Sequence, residues 1–360
     1  MKNKILAAVI CFGFSLTYSQ TLPDGQNYVY SRYYLEPVTI TTPNAQQIQT
    51  VTYLDELGRP KQSINIKATP SKQDLVTLTD FDEYGRQTIS YLPLPISSLG
   101  GDIQPVVGAD VNSFYDNIHM NVRSAFIEKV YDKSPLNRLK TSASPGDDWD
   151  MQSPNTVEYE YDVNKIGDNV KIYTAASTWD PTEKIYRSVL SFSGTYITGA
   201  LYKYKVLDED NNLQEVYKDS FGKIVLIRKN DGVFNVDTYH VYDQYKKLSF
   251  IISPKAVPLD ITDSEVLKSL CYQYNYDEWG RLAEKKLPGK EWEYFAYDAN
   301  DRLAARQDAE MNKSGRWEFS KVDYLGRTVY SGLMNGGDRK DIQIDFNNSN
   351  YEMLAQPSSV

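Results

Sequence analysis

The chain has 360 residues, 39 Lys and Arg against 48 Asp and Glu, a formal net charge of -9 at pH 7, and 29 tyrosines. That balance, with no clustered bases, argues against nucleic acid as the main partner, because phosphate binding rests on concentrated Lys and Arg. Its two histidines, His119 and His240, are too few for a His-rich zinc site, and a Ser-His-Asp relay would have to be built on one of them.

Residues 1–19 read as a secretory signal peptide. Lys2 and Lys4 precede an apolar stretch over 5–14, and Thr17 and Ser19 are the small residues a signal peptidase needs, with cleavage before Gln20. The apolar run falls short of the roughly 20 residues that span a bilayer. Cys11 lies inside that run, which does not suit a lipoprotein, and no later segment is long enough to cross a membrane. The product is expected to be secreted or held on the outer cell surface. Once Cys11 has left with the signal, Cys271 has no intramolecular partner. It reads as a small apolar strand residue, the alternative being a disulfide to another chain.

Tyr28, Tyr30, Tyr33 and Tyr34 open the mature chain, and one or two strands are expected before 50. Two hairpins follow between 51 and 94. Residues 96–112 carry turn residues without a period and read as a long loop, and 124–130 as a short helix. A soft domain boundary is set near Asp150. Strands are expected over 157–161, 171–178, 185–194, 200–207, 214–217, 224–229 and 238–242. Thr262 and Glu265 fit a capping box, so a helix near 262–270 should lay Val266, Leu267 and Leu270 on the sheet. From 271 the pattern is most regular: Tyr272, Tyr274 and Tyr276 alternate, a tight turn follows at Asp277 to Arg281, and Trp292, Tyr294 and Ala296 share a face. Residues 335–360 read as a C-terminal tail.

One mark recurs along this path: an apolar or aromatic residue, Asp, two residues, Gly and a base. It stands at Asp55, Gly58 and Arg59; at Asp82, Gly85 and Arg86; at Asp219, Gly222 and Lys223; at Asp277, Gly280 and Arg281; and at Asp323, Gly326 and Arg327. Looser forms occur at Asp132, Asp162, Asp208, Asp243 and Asp298. The chemistry is that of a hairpin turn, in which Asp accepts nearby backbone N–H groups and Gly takes the positive φ of a type I turn with a bulge. The fold class that follows is all-β: repeated antiparallel hairpins forming a curved or spiral single sheet, with one or two short helices. The many tyrosines suit such a sheet, since the ring can pack against cross-strand neighbours while the hydroxyl stays wet.

The marks resemble the YD repeat of the Rhs family, over about residues 51–334. The segment before Asp150 resembles the N-terminal domain of unknown function of secreted Rhs-like proteins, so 20–150 is taken as that domain and 151–334 as the repeat tract. The resemblance implies a structural, non-enzymatic part of a shell that encloses or presents a C-terminal effector in longer relatives, such as polymorphic toxins. It also implies partners: the remainder of a shell, or another chain docking on an exposed sheet edge. The chain lacks the family's closing core and toxin region, so toxicity is not assigned to these residues.

No catalytic, cofactor or metal residues are expected. The conspicuous Asp residues occupy one turn position, which backbone capping explains. Asp208-x-Asp210-x-Asn212 opens like a calcium loop but lacks the later Gly and Glu, and reads as a turn. Two rival functions have residues to point to. A glycan- or protein-binding surface module would use Trp292, Tyr294 and Trp317 as platforms. A hydrolase would need two carboxylates facing each other across a cleft.

Overall fold

The structure, a computed structural model, describes residues 22, 25–36, 45–119, 123–230 and 233–348, with the backbone alone at His119. The expected signal peptide and its cleavage point before Gln20 lie outside the described residues. The chain divides into two compact units, Met1–Val157 and Glu158–Val360.

The first unit contains β1 (Tyr28–Tyr34), β2 (Gln47–Leu54), β3 (Pro60–Asn65), β4 (Asp74–Phe81), β5 (Gln87–Tyr91), β6 (Leu94–Ile96), helix α1 (Gly108–His119), β7 (Phe126–Tyr131) and β8 (Leu139–Ala143). β1 to β4 pair in sequence order, β4 then pairs with β6 along its first half and β5 along its second, and β5, β7 and β8 continue, all antiparallel. Val51, Tyr53, Ile64 and Val76 are fully buried beneath α1, which contributes Val111. Residues 97–107 are tied to the sheet by polar bonds: the Tyr53 hydroxyl donates to the Gly101 carbonyl at 2.8 Å, and Gln62 exchanges two bonds with the Gln104 backbone. Two expectations change here. The long loop ends in α1, started by the Val107 N–H bonding to the Asp110 carboxylate at 2.8 Å, with Val111, Phe114 and Tyr115 spaced to face the core. The helix expected at 124–130 is instead strand β7, since pairing on both edges, to β5 and β8, outweighs local preference.

The second unit contains β9 (Val157–Val163), β10 (Lys171–Asp180), β11 (Ile185–Thr195), β12 (Tyr202–Leu207), β13 (Leu213–Lys218), β14 (Ile224–Asn230), β15 (Asn235–Tyr242), β16 (Leu248–Ile252), helix α2 (Ser264–Leu270), β17 (Cys271–Tyr276), β18 (Leu282–Lys286), β19 (Trp292–Tyr297), β20 (Leu303–Gln307), helix α3 (Ala309–Lys313), β21 (Arg316–Val322), β22 (Thr328–Asn335) and helix α4 (Arg339–Asn348). β9 pairs with β12, and from β12 to β22 each strand pairs with the next in an antiparallel meander. The fold class is therefore all-β, an open sheet of antiparallel hairpins. The β10–β11 hairpin touches β17 in register only at Tyr186 and Tyr276. It packs over the meander, with Ala175 and Leu190 in a core with Tyr217, Leu226, Tyr239 and Phe250, and with the Tyr173 ring edge-on to Tyr239 at 4.9 Å.

α2 supports Val266, Leu267 and Leu270 against this core. Its cap is Asp263, whose carboxylate accepts the Glu265 N–H, one residue later than the expected Thr262. Cys271 is fully buried, and burial pushes its thiol up to about 11. The helices described are four rather than one or two. The last corrects the expected tail, for residues 339–348 form α4 and bury Ile342 and Phe346 on Ala296, Ala304, Ala305 and Trp317. Small residues make that cradle: a Cβ on Gly336 would collide with Ile342.

Candidate functional site: ladders of repeated turns

The repeated turns have one geometry, occurring at Asp55, Asp82, Asp208, Asp219, Asp243, Asp277, Asp298 and Asp323. In each the Asp N–H donates to the carbonyl four residues on, and the residue three on donates back to the Asp carbonyl. One carboxylate oxygen accepts the N–H groups two and four residues on, at 2.8–3.0 Å throughout. Where the base is arginine, its Nε donates to the other oxygen at 2.7–2.8 Å, as at Arg59, Arg86, Arg281, Arg302 and Arg327. These bonds use up the carboxylate, which is why Asp277 and Asp298 tolerate burial; at Asp243, where the base is Lys247, the Ser177 hydroxyl donates to the second oxygen instead, at 2.7 Å. The backbone N–H of Arg59 holds the Asp55 carboxyl below its ordinary range, against the opposing pull of desolvation and with help from the guanidinium; Arg327 does the same for Asp323.

The fourth position takes positive φ in every copy, from 60° at Asp301 to 79° at Gly85 and Gly326. Glycine fills five, but Asn211, Lys246 and Asp301 stand there too, so three of the looser marks, at Asp208, Asp243 and Asp298, are full members. A register shift beside most of these turns is the bulge that the turn type requires. Asp132 opens a longer version closed at Arg138. Tyr161 and Asp162 instead lie within β9, where Asp162 pairs with Lys165 and forms no tight turn.

Turns on the same rim are stitched to each other. The cationic end of Arg59 lies over Phe81, Arg86 over Tyr131, Lys223 over Tyr242, Lys247 over Tyr276 and Arg281 over Tyr297, at 4.5–5.6 Å, so each base covers the aromatic residue that precedes the next turn's Asp. The same bases reach across: Arg86 to the Asp132 carbonyl, Lys223 to that of Lys246, Lys247 to that of Gly280, Arg302 to that of Asp323, and Arg281 to the Asp301 carboxylate. In return the Tyr131, Tyr276 and Tyr297 hydroxyls donate to the carbonyls of Gln87, Leu248 and Leu282, just past the preceding turn. Aromatic, Asp and base thus each have a contact that no other residue type in the repeat would supply.

Residues 27–163 match the family model described as a domain of unknown function, DUF6443. Among solved structures, the crystal structure of TcdB2-TccC3 is similar with a TM-score of 0.50 at 13% identity, covering 82% of this chain and 13% of that chain. The crystal structure of TcdB2-TccC3 without its hypervariable C-terminal region gives the same values. Residues 27–163 are thus a DUF6443 domain, and the chain is similar in fold to TcdB2-TccC3. At that identity the structural likeness is one of fold, and the chain spans only a small part of those structures. A comparison with curated proteins gave no match.

The turns leave one side chain outside the ladder. The residue two after Asp points to solvent: Leu57, Tyr84, Phe221, Tyr245, Trp279 and Leu325 are all exposed. The aromatic platforms expected from sequence differ. Trp317 is fully buried under α4, its indole N–H donating to the Gly337 carbonyl, and so offers no surface for a ligand. Trp292 and Tyr294 are half-buried, the first beneath the buried Lys286 ammonium, the second against the α4 cluster.

Further buried chemistry went unread in the sequence. Lys203 binds Asp168 and Glu215 at 2.8 Å each, and Arg228 holds Asp237 with two nitrogens and the Asp168 carbonyl with a third. Burial alone would lower the Lys203 pKa, but the bonds to Asp168 and Glu215 outweigh it and raise it. Asp208, of the calcium-like stretch, spends both oxygens on Asp210 and Asn212. His240 lies in β15 and His119 ends α1, with no third ligand type grouped beside them among the described residues. An open cleft of about 460 Å³ is lined by Lys171, Tyr173, Phe192 and residues 257–262, and Lys171 is spent on the Val257 carbonyl there. No helix among the described residues is long and apolar enough to cross a membrane.

Proposed function

We propose that the chain is a non-enzymatic, exported wall segment of an Rhs-like shell, and that a further shell strand adds to β22. The observation that carries this reading is β22 itself. It pairs only with β21 among the described strands, and its sequence TVYSGLMN has no charge or proline. Val329, Tyr330 and Leu333 on it are exposed, at 55%, 63% and 58%. Sheet proteins ordinarily blunt such an edge with a charge, a proline or a bulge; β22 has neither charge nor proline, and its bulge, at Val329, lies at the turn end, so the strand from Tyr330 onward favours pairing. The conspicuous carboxylates are consumed in turn bonding, which supports a structural rather than catalytic role for them. Export rests on the pattern of residues 1–19, and enclosure of an effector on the family resemblance.

The test is sedimentation velocity of the chain from Gln20 across a concentration series, beside Leu333→Lys. Association that the charged variant abolishes supports the reading. A monomer at every concentration, or association indifferent to the variant, contradicts it.

A further inference from the structure

Phe221, Tyr245, Trp279 and Leu325 occupy the same position in turns along one rim of the second unit, with Asn300 at that position in the turn between the last two. In each, the N–H of the exposed residue is held by the turn Asp at 2.9–3.0 Å, so the backbone gives every Cβ the same direction. Their exposures are 71%, 55%, 71% and 60%. Successive turns are two strands apart, which sets the tips about 10 Å from one another. Two of the rings are held by neighbours: the Lys246 ammonium covers one face of Phe221, 4.0 Å from the ring centre, leaving the other face for a ligand, and Tyr245 leans on Tyr186 at 5.2 Å with the ring planes tilted by 57°.

The surroundings narrow the occupant. Arg281, Arg302 and Arg327 are each paired with their own turn Asp, and the remaining bases of the rim, Lys223, Lys246 and Lys247, stand beside Asp219, Asp243, Glu278 and Asp301, so the rim carries no net positive charge to attract a polyanion or an anionic bilayer. Tips about 10 Å apart with polar turn backbone between them also do not form the contiguous apolar core that a protein interface needs. A line of separated rings suits a linear ligand that repeats. A sugar ring presents axial C–H groups, slightly positive, to the negative face of an aromatic ring. In an extended β-linked polysaccharide the rings repeat at about half the tip spacing, so every second pyranose would meet a side chain. The twist of about 20–25° between neighbouring strands turns the row as it advances, which suits a single dissolved chain better than a flat crystalline face.

We propose that this rim is a binding site for a neutral, extended, β-linked polysaccharide, with Phe221, Tyr245 and Trp279 as stacking platforms. The proposal is independent of what pairs with β22. It is tested by titrating the chain from Gln20 with cellohexaose and mannohexaose, followed by tryptophan fluorescence and calorimetry, with phosphatidylserine vesicles alongside. The expected result is that at least one hexasaccharide binds with little dependence on salt. Affinity should fall about threefold to tenfold in Trp279→Ala and again in Phe221→Ala, and hold in Trp149→Ala, with melting temperatures unchanged for the two tip variants. The proposal is overturned if neither hexasaccharide binds, if binding ignores Trp279→Ala, or if the chain binds the vesicles instead.

Discussion

Gly280 is where the turn chemistry can be tested most sharply. Its φ is +74°, and a Cβ placed there would lie 2.8 Å from the Lys247 Nζ and 3.0 Å from its Cε. Two costs follow for Gly280→Val. Left-handed backbone costs an L-residue about 1–2 kcal/mol, and a β-branched residue suffers most. The Lys247 side chain must also swing aside, giving up its 2.8 Å bond to the Gly280 carbonyl. A lost bond of that kind adds about 1 kcal/mol, for a total of about 2–4 kcal/mol. In a unit of this size that lowers the melting temperature on the order of 10 °C. Gly280→Asn should cost roughly half as much, because Asn tolerates this φ, as Asn211 does at +63° in an equivalent turn. Glu278→Ala, at an exposed neighbour, should stay within about 0.5 kcal/mol. Urea and thermal unfolding of the three variants check the ranking. Equal losses for Val and Asn would show that backbone conformation is not the cause, and a Glu278→Ala loss matching Val would refute the turn assignment.

Other residues separate in the same way. Trp317→Ala should cost about 3–5 kcal/mol, whereas Trp279→Ala should be nearly silent in urea unfolding, since one is fully buried and the other is a turn tip. Lys203→Met should destabilise by about 3–5 kcal/mol, because it strands the buried Asp168 and Glu215 carboxylates; in the same assay Lys203→Met combined with Asp168→Asn and Glu215→Gln should recover part of the loss. Burial lowers the His240 pKa from its ordinary 6.5, so the folded chain favours the neutral ring. Its contribution is complete above that ordinary value and is lost as pH falls through the lowered one. The stability of His240→Phe should therefore vary less than wild type between neutral and mildly acidic pH, measured by denaturant midpoints.

The turns were readable in the sequence because their chemistry is local: Asp55 or Asp277 satisfies N–H groups two and four residues away, and Gly58 or Gly280 supplies the φ. Asp243 and Asp298 were harder because Lys246 and Asp301 replace glycine, at a strain that the surrounding bonds offset. What lay beyond reach was long-range. Nothing local tells that β7 is paired on both edges, or that Ile342 and Phe346 find a cradle of alanines over Trp317. That contact also explains why Trp317, which shares its face of β21 with the half-buried Phe319 and Lys321, proved to be core. The turn-tip aromatics were missed for a different reason. Strand periodicity sorts side chains into two faces but is silent inside a turn, where a residue such as Trp279 has no inward direction to take.

The central claim is that β22 is an edge waiting for another strand, and amide hydrogen exchange resolved to that strand tests it most directly. Along Thr328 to Asn335, amides facing away from β21 should exchange freely in dilute protein. They should gain protection as concentration rises or when a partner is added, while the β12 to β20 amides stay unchanged. Protection of β22 already complete in the most dilute sample, or association that leaves its amides exchanging as before, would contradict the account.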